Sequence, residues 1–140
     1  MYENIINKDG NKFYKVKKSM VIDAQKDLGI LFPNELVQFY AEIGYGFLNS
    51  NEENFNRLMD PNSVAEFRLR KGQYANYSEL EIYTDYERDK LIFFEICEGY
   101  FLSIGFSGSN RGVIFDGEKR IAKNLEEFLI KYQENENYFK

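Results

Sequence analysis

The chain has 140 residues and a formal charge of −5, from 23 acidic against 18 basic side chains. With 44% apolar and 17% aromatic residues it is too rich in rings to stay disordered, and as one domain it buries about two-thirds of its unfolded surface. Net acidity argues against nucleic acid as a partner of the bulk surface, and a single cysteine, Cys97, excludes an internal disulfide framework.

No stretch approaches the roughly 18 apolar residues of a membrane span, and no basic, apolar and small-residue leader opens the chain, so a cytoplasmic protein is expected. Cys97 closes the apolar run from Leu91 and reads as a small buried hydrophobe, because the chain has no histidine to serve it as base or co-ligand.

In chain order, "NKDGNKF" carries an Asp-Gly turn signal before the first extended stretch. "KFYKVKK", Lys12 to Lys18, interleaves four lysines with Phe13, Tyr14 and Val16. It reads as a half-buried edge segment, with a polyanion patch or a partner contact as alternatives. Ser19 is placed to cap a first helix whose apolar side is Met20, Val21, Ala24 and Leu28, with Ile22 beside them, and Gly29 stands where a left-handed C-cap would end it.

Pro33 opens the next helix, where its missing N–H does no harm. Leu36, Val37, Phe39, Tyr40 and Ile43 fall on one broad face of it, while Asn34, Glu35, Gln38 and Glu42 face water. Gly44 terminates it, Gly46 is assigned to the adjoining bend, and Phe47 is expected to pack beneath the helix, with an exposed aromatic binding knob as the alternative. Asp60 as N-cap and Pro61 in the first turn begin another helix, which turns Val64, Phe67 and Leu69 inward and stops at Gly72.

"QYANYSELEIYTDYERDK" mixes tyrosines and carboxylates without a clear period. "LIFFEI", "YFLSIGF" and "RGVIFD" are strand-like, and their short separators favour an antiparallel meander, with "FDGEKR" turning into a return strand. Asn124 caps a last helix with Leu125, Phe128, Leu129 and Tyr132 inward, which frays after Gln133. The pattern is a single α+β domain over 1–140: a central antiparallel meander covered on one face by N-terminal helices and a C-terminal helix. Its core should be shared by Phe39, Tyr40, Phe94, Ile104, Phe106, Phe128 and Leu129.

No metal-ligand, nucleotide-binding or nucleophile motif is present, so neither cofactor nor metal is expected. "FSGSNRG" lacks the lysine-serine pair of a phosphate loop and reads as a strand connection. Asp85, Glu87 and Asp89 lack calcium-loop spacing, and Asp116 and Glu118 flank a turn glycine. An enzyme would need Asp85, Asp89, Asp116 or Glu118 gathered round one pocket.

The order of the motifs says more than any one of them. "LGILFPNELVQFYAEIGYGFL", then "NRLMDPNSVAEF", then "FLSIGFSGSNRGVIFD" and "IAKNLEEFLIKY" together resemble the SMI1/KNR4 family, or SUKH superfamily, over residues 20–132. Leu28, Gly29, Pro33, Tyr40, Gly44 and Gly46 match its opening block, Asp60 and Pro61 the next helix start, Ile104, Gly105 and Gly112 the meander, and Leu125, Phe128 and Leu129 the last helix. Two departures are Gln25, where a glutamate is common, and Gly-Tyr-Gly in place of Asn-Gly-Gly.

The resemblance implies a non-enzymatic binding role. Bacterial members are largely immunity proteins that neutralise toxins, many of them nucleases, while fungal members look like regulatory scaffolds. A cognate toxin with a basic surface is therefore the expected partner, and a scaffold binding a normal cellular protein is the alternative. Framework positions being assigned to packing, the expected partner-binding residues are Glu79, Glu81, Tyr83, Asp85, Tyr86 and Glu87, with the loop at Asn49 to Asn54 next. Oligomeric state is left open.

Overall fold

Short strands dominate the centre of the molecule, and local chemistry explains where each begins and ends. The computed structural model describes residues 2–51 and 54–140. Its elements are α1 (Glu3–Ile6), β1 (Lys12–Tyr14), α2 (Lys18–Leu28), α3 (Asn34–Glu42), β2 (Tyr45–Phe47), β3 (Asn56–Leu58), α4 (Pro61–Leu69), β4 (Lys90–Ile96), β5 (Tyr100–Gly105), β6 (Ile114–Asp116), β7 (Lys119–Ala122) and α5 (Leu125–Glu134). Two 3₁₀ runs, Gly72–Tyr74 and Ser78–Glu87, lie between α4 and β4, and a third, Gly108–Asn110, joins β5 to β6.

The strands form one antiparallel seven-stranded meander in the order β1-β2-β3-β4-β5-β6-β7. The α+β reading holds, and the meander is longer than the sequence suggested. β1, β2 and β3 have three residues each and pair only because neighbouring chain is brought beside them, a non-local effect that short runs do not announce.

Register sets the two faces. Leu58, Phe94 and Leu102 align across three strands, as do Leu91, Ile104 and Ile114. On this face Phe94 meets Phe128 of α5 at 5.1 Å and Tyr132 at 5.3 Å, and Phe13 meets Phe39 of α3 at 6.0 Å. The reverse face aligns Arg57, Glu95 and Phe101. There Phe67 of α4 packs on Phe101 at 4.8 Å, so helices lie on both faces instead of one. A bulge between Ile92 and Phe94 leaves Phe93 buried as well, with its ring 6.1 Å from Phe128.

The expected core is present, with Phe106 only partly buried at its margin. α3 buries Leu36, Phe39 and Tyr40, and the Tyr40 hydroxyl donates to the Met59 carbonyl at 2.5 Å. Glu35 is half-buried, not solvated: its carboxylate accepts the Leu125 N–H at the start of α5. Burial raises its pKa, partly offset by those backbone donors.

Helix ends confirm some signals and relocate others. Gly29 is the left-handed C-cap of α2 at φ 65°, but the N-cap is Lys17, Ser19 lies inside the helix, and Ile22 is exposed instead of inward because the buried face runs through Val21 and Ala24. Gln25 accepts the Phe32 N–H at 2.8 Å and thereby ties the end of α2 to the next segment. Asp60 caps α4 through the Ser63 N–H, with Pro61 first in the helix. α4 ends on Arg70 at φ 52°, ahead of Gly72, and Leu69 is exposed. Asn124 caps α5 by accepting the Glu127 N–H at 2.8 Å.

Gly44 does follow the end of α3, at φ 121°, a conformation side chains disfavour. Gly46, in contrast, lies within β2, opposite Phe13 and Leu58. An added Cβ at Gly44 would overlap the Tyr14 carbonyl, and one at Gly46 the Lys12 carbonyl, so this pair of glycines is what lets β1 lie against β2. Phe47 does not pack beneath α3; its ring contacts are Tyr14 at 6.4 Å and Phe55 at 6.1 Å.

Two more expectations fail. Cys97 is exposed in the β4–β5 turn at φ 49°, because the apolar run ends one residue earlier. The tail after Gln133 docks instead of fraying: Phe139 is buried, and the Tyr138 hydroxyl donates to the Ile121 carbonyl at 2.7 Å. Among the described residues no helix is long and apolar enough to cross a membrane.

Candidate functional site

The acidic and aromatic stretch after α4 becomes a ridge made of the 3₁₀ run Ser78–Glu87. Ten residues of 3₁₀ structure are long for so strained a geometry, so side chains must hold the run in place. Leu80 and Tyr83 are the inward anchors. Tyr83 is 6% exposed; its hydroxyl accepts the Phe101 N–H at 3.1 Å, and its ring lies 5.5 Å from Phe101 and 5.9 Å from Phe67.

The basic end of α4 fastens the ridge. Arg70 donates to the Phe67 carbonyl at 2.5 Å, to the Leu80 carbonyl at 3.2 Å and to the Glu87 carboxylate at 2.6 Å. Arg68 donates to the carbonyls of Glu87 and Lys90. Glu87 is 8% exposed, and its burial raises its carboxyl pKa despite the two guanidinium groups.

The six sequence-selected residues therefore divide. Tyr83 and Glu87 face inward and hold the ridge, Tyr86 is half-buried, and Glu79, Glu81 and Asp85 are exposed. Ile82, 67% exposed, and Tyr77, 56% exposed, stand among those carboxylates as uncovered apolar surface. Of the alternative loop, Glu52 and Glu53 lie outside the described residues.

A hollow lies on each side of the ridge. One, of about 470 Å³, is lined by Tyr74, Tyr77, Glu79, Glu95, Glu98 and Phe101 among others. At its base Arg57 donates to the Tyr74 hydroxyl at 2.9 Å and to Glu95 at 3.4 Å. Burial raises the Glu95 carboxyl pKa and pushes the Tyr74 phenol up to about 12. The other, of about 440 Å³, is lined by Ile82, Tyr86, Tyr100, Asp116 and Glu118 among others. There the Tyr100 hydroxyl donates to Asp116 at 2.5 Å, and this bond pushes the phenol up to about 12.

Sequence reasoning missed Ile82, Glu98 and Tyr100 as parts of this face. Glu98 and Tyr100 come from the β4–β5 hairpin, and no local signal tells that this turn folds back beside the ridge. Asp116 and Glu118 do approach it, but Asp89 is engaged elsewhere, by Lys90 at 2.8 Å and Asn110 at 3.3 Å. Among the described residues no cluster of three or more carboxylate, cysteine or histidine side chains could hold a metal ion. The face presents carboxylates around exposed rings and an isoleucine.

The chain is 43% identical over 138 residues to "Immunity protein YxxD" of Bacillus subtilis (strain 168), covering 99% of this chain and 94% of that protein. No solved structure matches. The model of the SMI1 / KNR4 family (SUKH-1) matches residues 15–131, from just after β1 into α5. The chain belongs to the SMI1/KNR4 family.

Proposed function

We propose that this chain is a non-enzymatic immunity protein that binds and neutralises a cognate bacterial toxin in the cytoplasm of the cell that makes it. The observation that carries this is 43% identity, across nearly the full length of both chains, to a protein named for immunity. The acidic ridge supports the finer reading that the toxin offers a basic surface, as a nuclease does around its substrate channel. Carboxylates at Glu79, Glu81 and Asp85 would steer encounter, while Tyr77, Ile82 and Tyr86 would supply the desolvated contact.

The test is co-purification and binding kinetics with any toxin domain found encoded beside this gene. A complex is expected, with an association rate that falls about tenfold at low salt when Glu79, Glu81 and Asp85 are replaced together by lysine, and converges with wild type at high salt. Failure to form a complex at micromolar concentration overturns the toxin reading. A complex whose rate ignores the three substitutions retains that reading and removes the ridge as its site.

A further inference from the structure

The two outer edges of the sheet are treated differently. β7 is covered by the C-terminal tail: Tyr138 donates to the Ile121 carbonyl, and Lys119 donates to the Phe139 carbonyl at 2.6 Å. β1 pairs with β2 on one side, and among the described residues no strand lies on the other. An uncovered edge carries unused backbone donors and acceptors, which proteins usually blunt or use.

Around this edge the side chains change sign relative to the rest of the molecule. The chain is acidic overall, yet residues 8–18 hold five lysines against one aspartate. Lys12, Lys15, Lys17 and Lys18 are exposed and make no ion pair with any described residue. Lys12 instead lies over the Tyr14 ring at 5.5 Å.

The sheet next to the edge carries a row of rings. Tyr14 is 40% exposed and stacks on Tyr45 at 5.4 Å, and Phe47 bridges Tyr14 to Phe55. Among the described residues these four make ring contacts only with one another.

We infer that β1 and this ring row form a second docking surface, which takes an extended acidic segment of a partner protein by strand addition. Three observations select that occupant. The open edge supplies hydrogen bonds that only another backbone in extended form can match. The unpaired lysines complement carboxylates of the added segment, and the rings beside Lys12 accept its apolar side chains. A second copy of this chain is disfavoured because β1 against β1 would set lysine against lysine. Single-stranded nucleic acid is disfavoured because Tyr14 and Tyr45 stack on each other at an interplanar angle of 27°, leaving fewer free faces for bases, on a protein that is acidic overall.

The inference does not rest on the toxin reading, since it concerns a different edge and a partner segment of opposite charge. The probe is a short fluorescein-labelled peptide of alternating glutamate and valine, followed by anisotropy and by amide NMR of the intact protein. Saturable binding is expected, with shifts centred on Lys12, Phe13 and Tyr14. The same peptide N-methylated at every amide should bind about tenfold or more weakly, because neither of its edges can offer a backbone N–H to β1, and this control leaves the protein untouched. Lys12→Glu with Lys15→Glu should weaken binding comparably, whereas Glu79→Lys should not. Equal binding by the N-methylated peptide, shifts elsewhere, or no binding at millimolar peptide overturns the inference. Tighter binding of an oligo-uridine than of the peptide, or a dimer in sedimentation that involves β1, also overturns it and assigns the edge to nucleic acid or to a second copy.

Discussion

Gly44 offers a perturbation whose size can be built from two separate terms. Replacing it with alanine places a side chain at φ 121°, a strained conformation that costs about 1–3 kcal/mol. The new methyl would also overlap the Tyr14 carbonyl and approach Lys15, both backbone atoms that cannot rotate away. Forcing such an overlap adds about 1–3 kcal/mol, so Gly44→Ala should destabilise by about 2–6 kcal/mol. Gly29 is the internal control: it has φ 65° and no heavy atom near its added Cβ, so Gly29→Ala should cost only the conformational term of about 1–2 kcal/mol. Urea denaturation of both variants, with the slope checked for constancy, measures each value. Hydrogen exchange adds a local readout, because β1 should lose protection in Gly44→Ala and keep it in Gly29→Ala. If the two variants lie within about 0.5 kcal/mol of each other, the overlap with β1 does not matter and the role assigned to the glycine pair is wrong.

Other substitutions probe the rest of the framework. Phe128→Ala empties a fully buried site against Phe93, Phe94 and Tyr132 and should cost about 3–5 kcal/mol in the same assay; an unchanged midpoint would show that α5 is wrongly phased. Arg70→Ala leaves Glu87 without its closest charge partner and should cost about 3 kcal/mol, together with increased proteolysis within Ser78–Glu87; retained stability would refute the fastening role. Because burial raises the Glu87 pKa, the folded form holds that proton more tightly than the unfolded form does. The Glu87 contribution to stability is therefore most favourable below the ordinary carboxylate range and is lost as pH rises through the raised pKa. Wild-type stability measured relative to Glu87→Gln should decline over that rise, and an increase would contradict the assignment.

Much of this molecule is set by local chemistry that a sequence displays. Gly29, Asp60, Pro61 and Asn124 act at helix ends because caps and stops depend on groups within a turn or so of one another. Leu125, Phe128, Leu129 and Tyr132 are inward because a helix repeats its faces at fixed spacing, and the β4–β5–β6–β7 meander follows from short links between strand-like runs. The order of these signals was also enough to suggest the family.

Tertiary structure alone decided the rest. The three-residue strands β1, β2 and β3 exist because separate segments meet, and two glycines matter there for the carbonyls they approach, from residues about thirty positions away in the chain. Tyr83 and Glu87 looked like surface groups beside Glu79, Glu81 and Asp85, since a 3₁₀ run has neither the helical nor the strand period that sorts inward from outward residues. Phe101 and Arg70, distant in sequence, turned those two inward, and the β4–β5 hairpin brought Glu98 and Tyr100 beside the ridge. Local spacing determines which groups can cap, turn or repeat a face; which of them remain available to a partner is determined by what long-range packing covers.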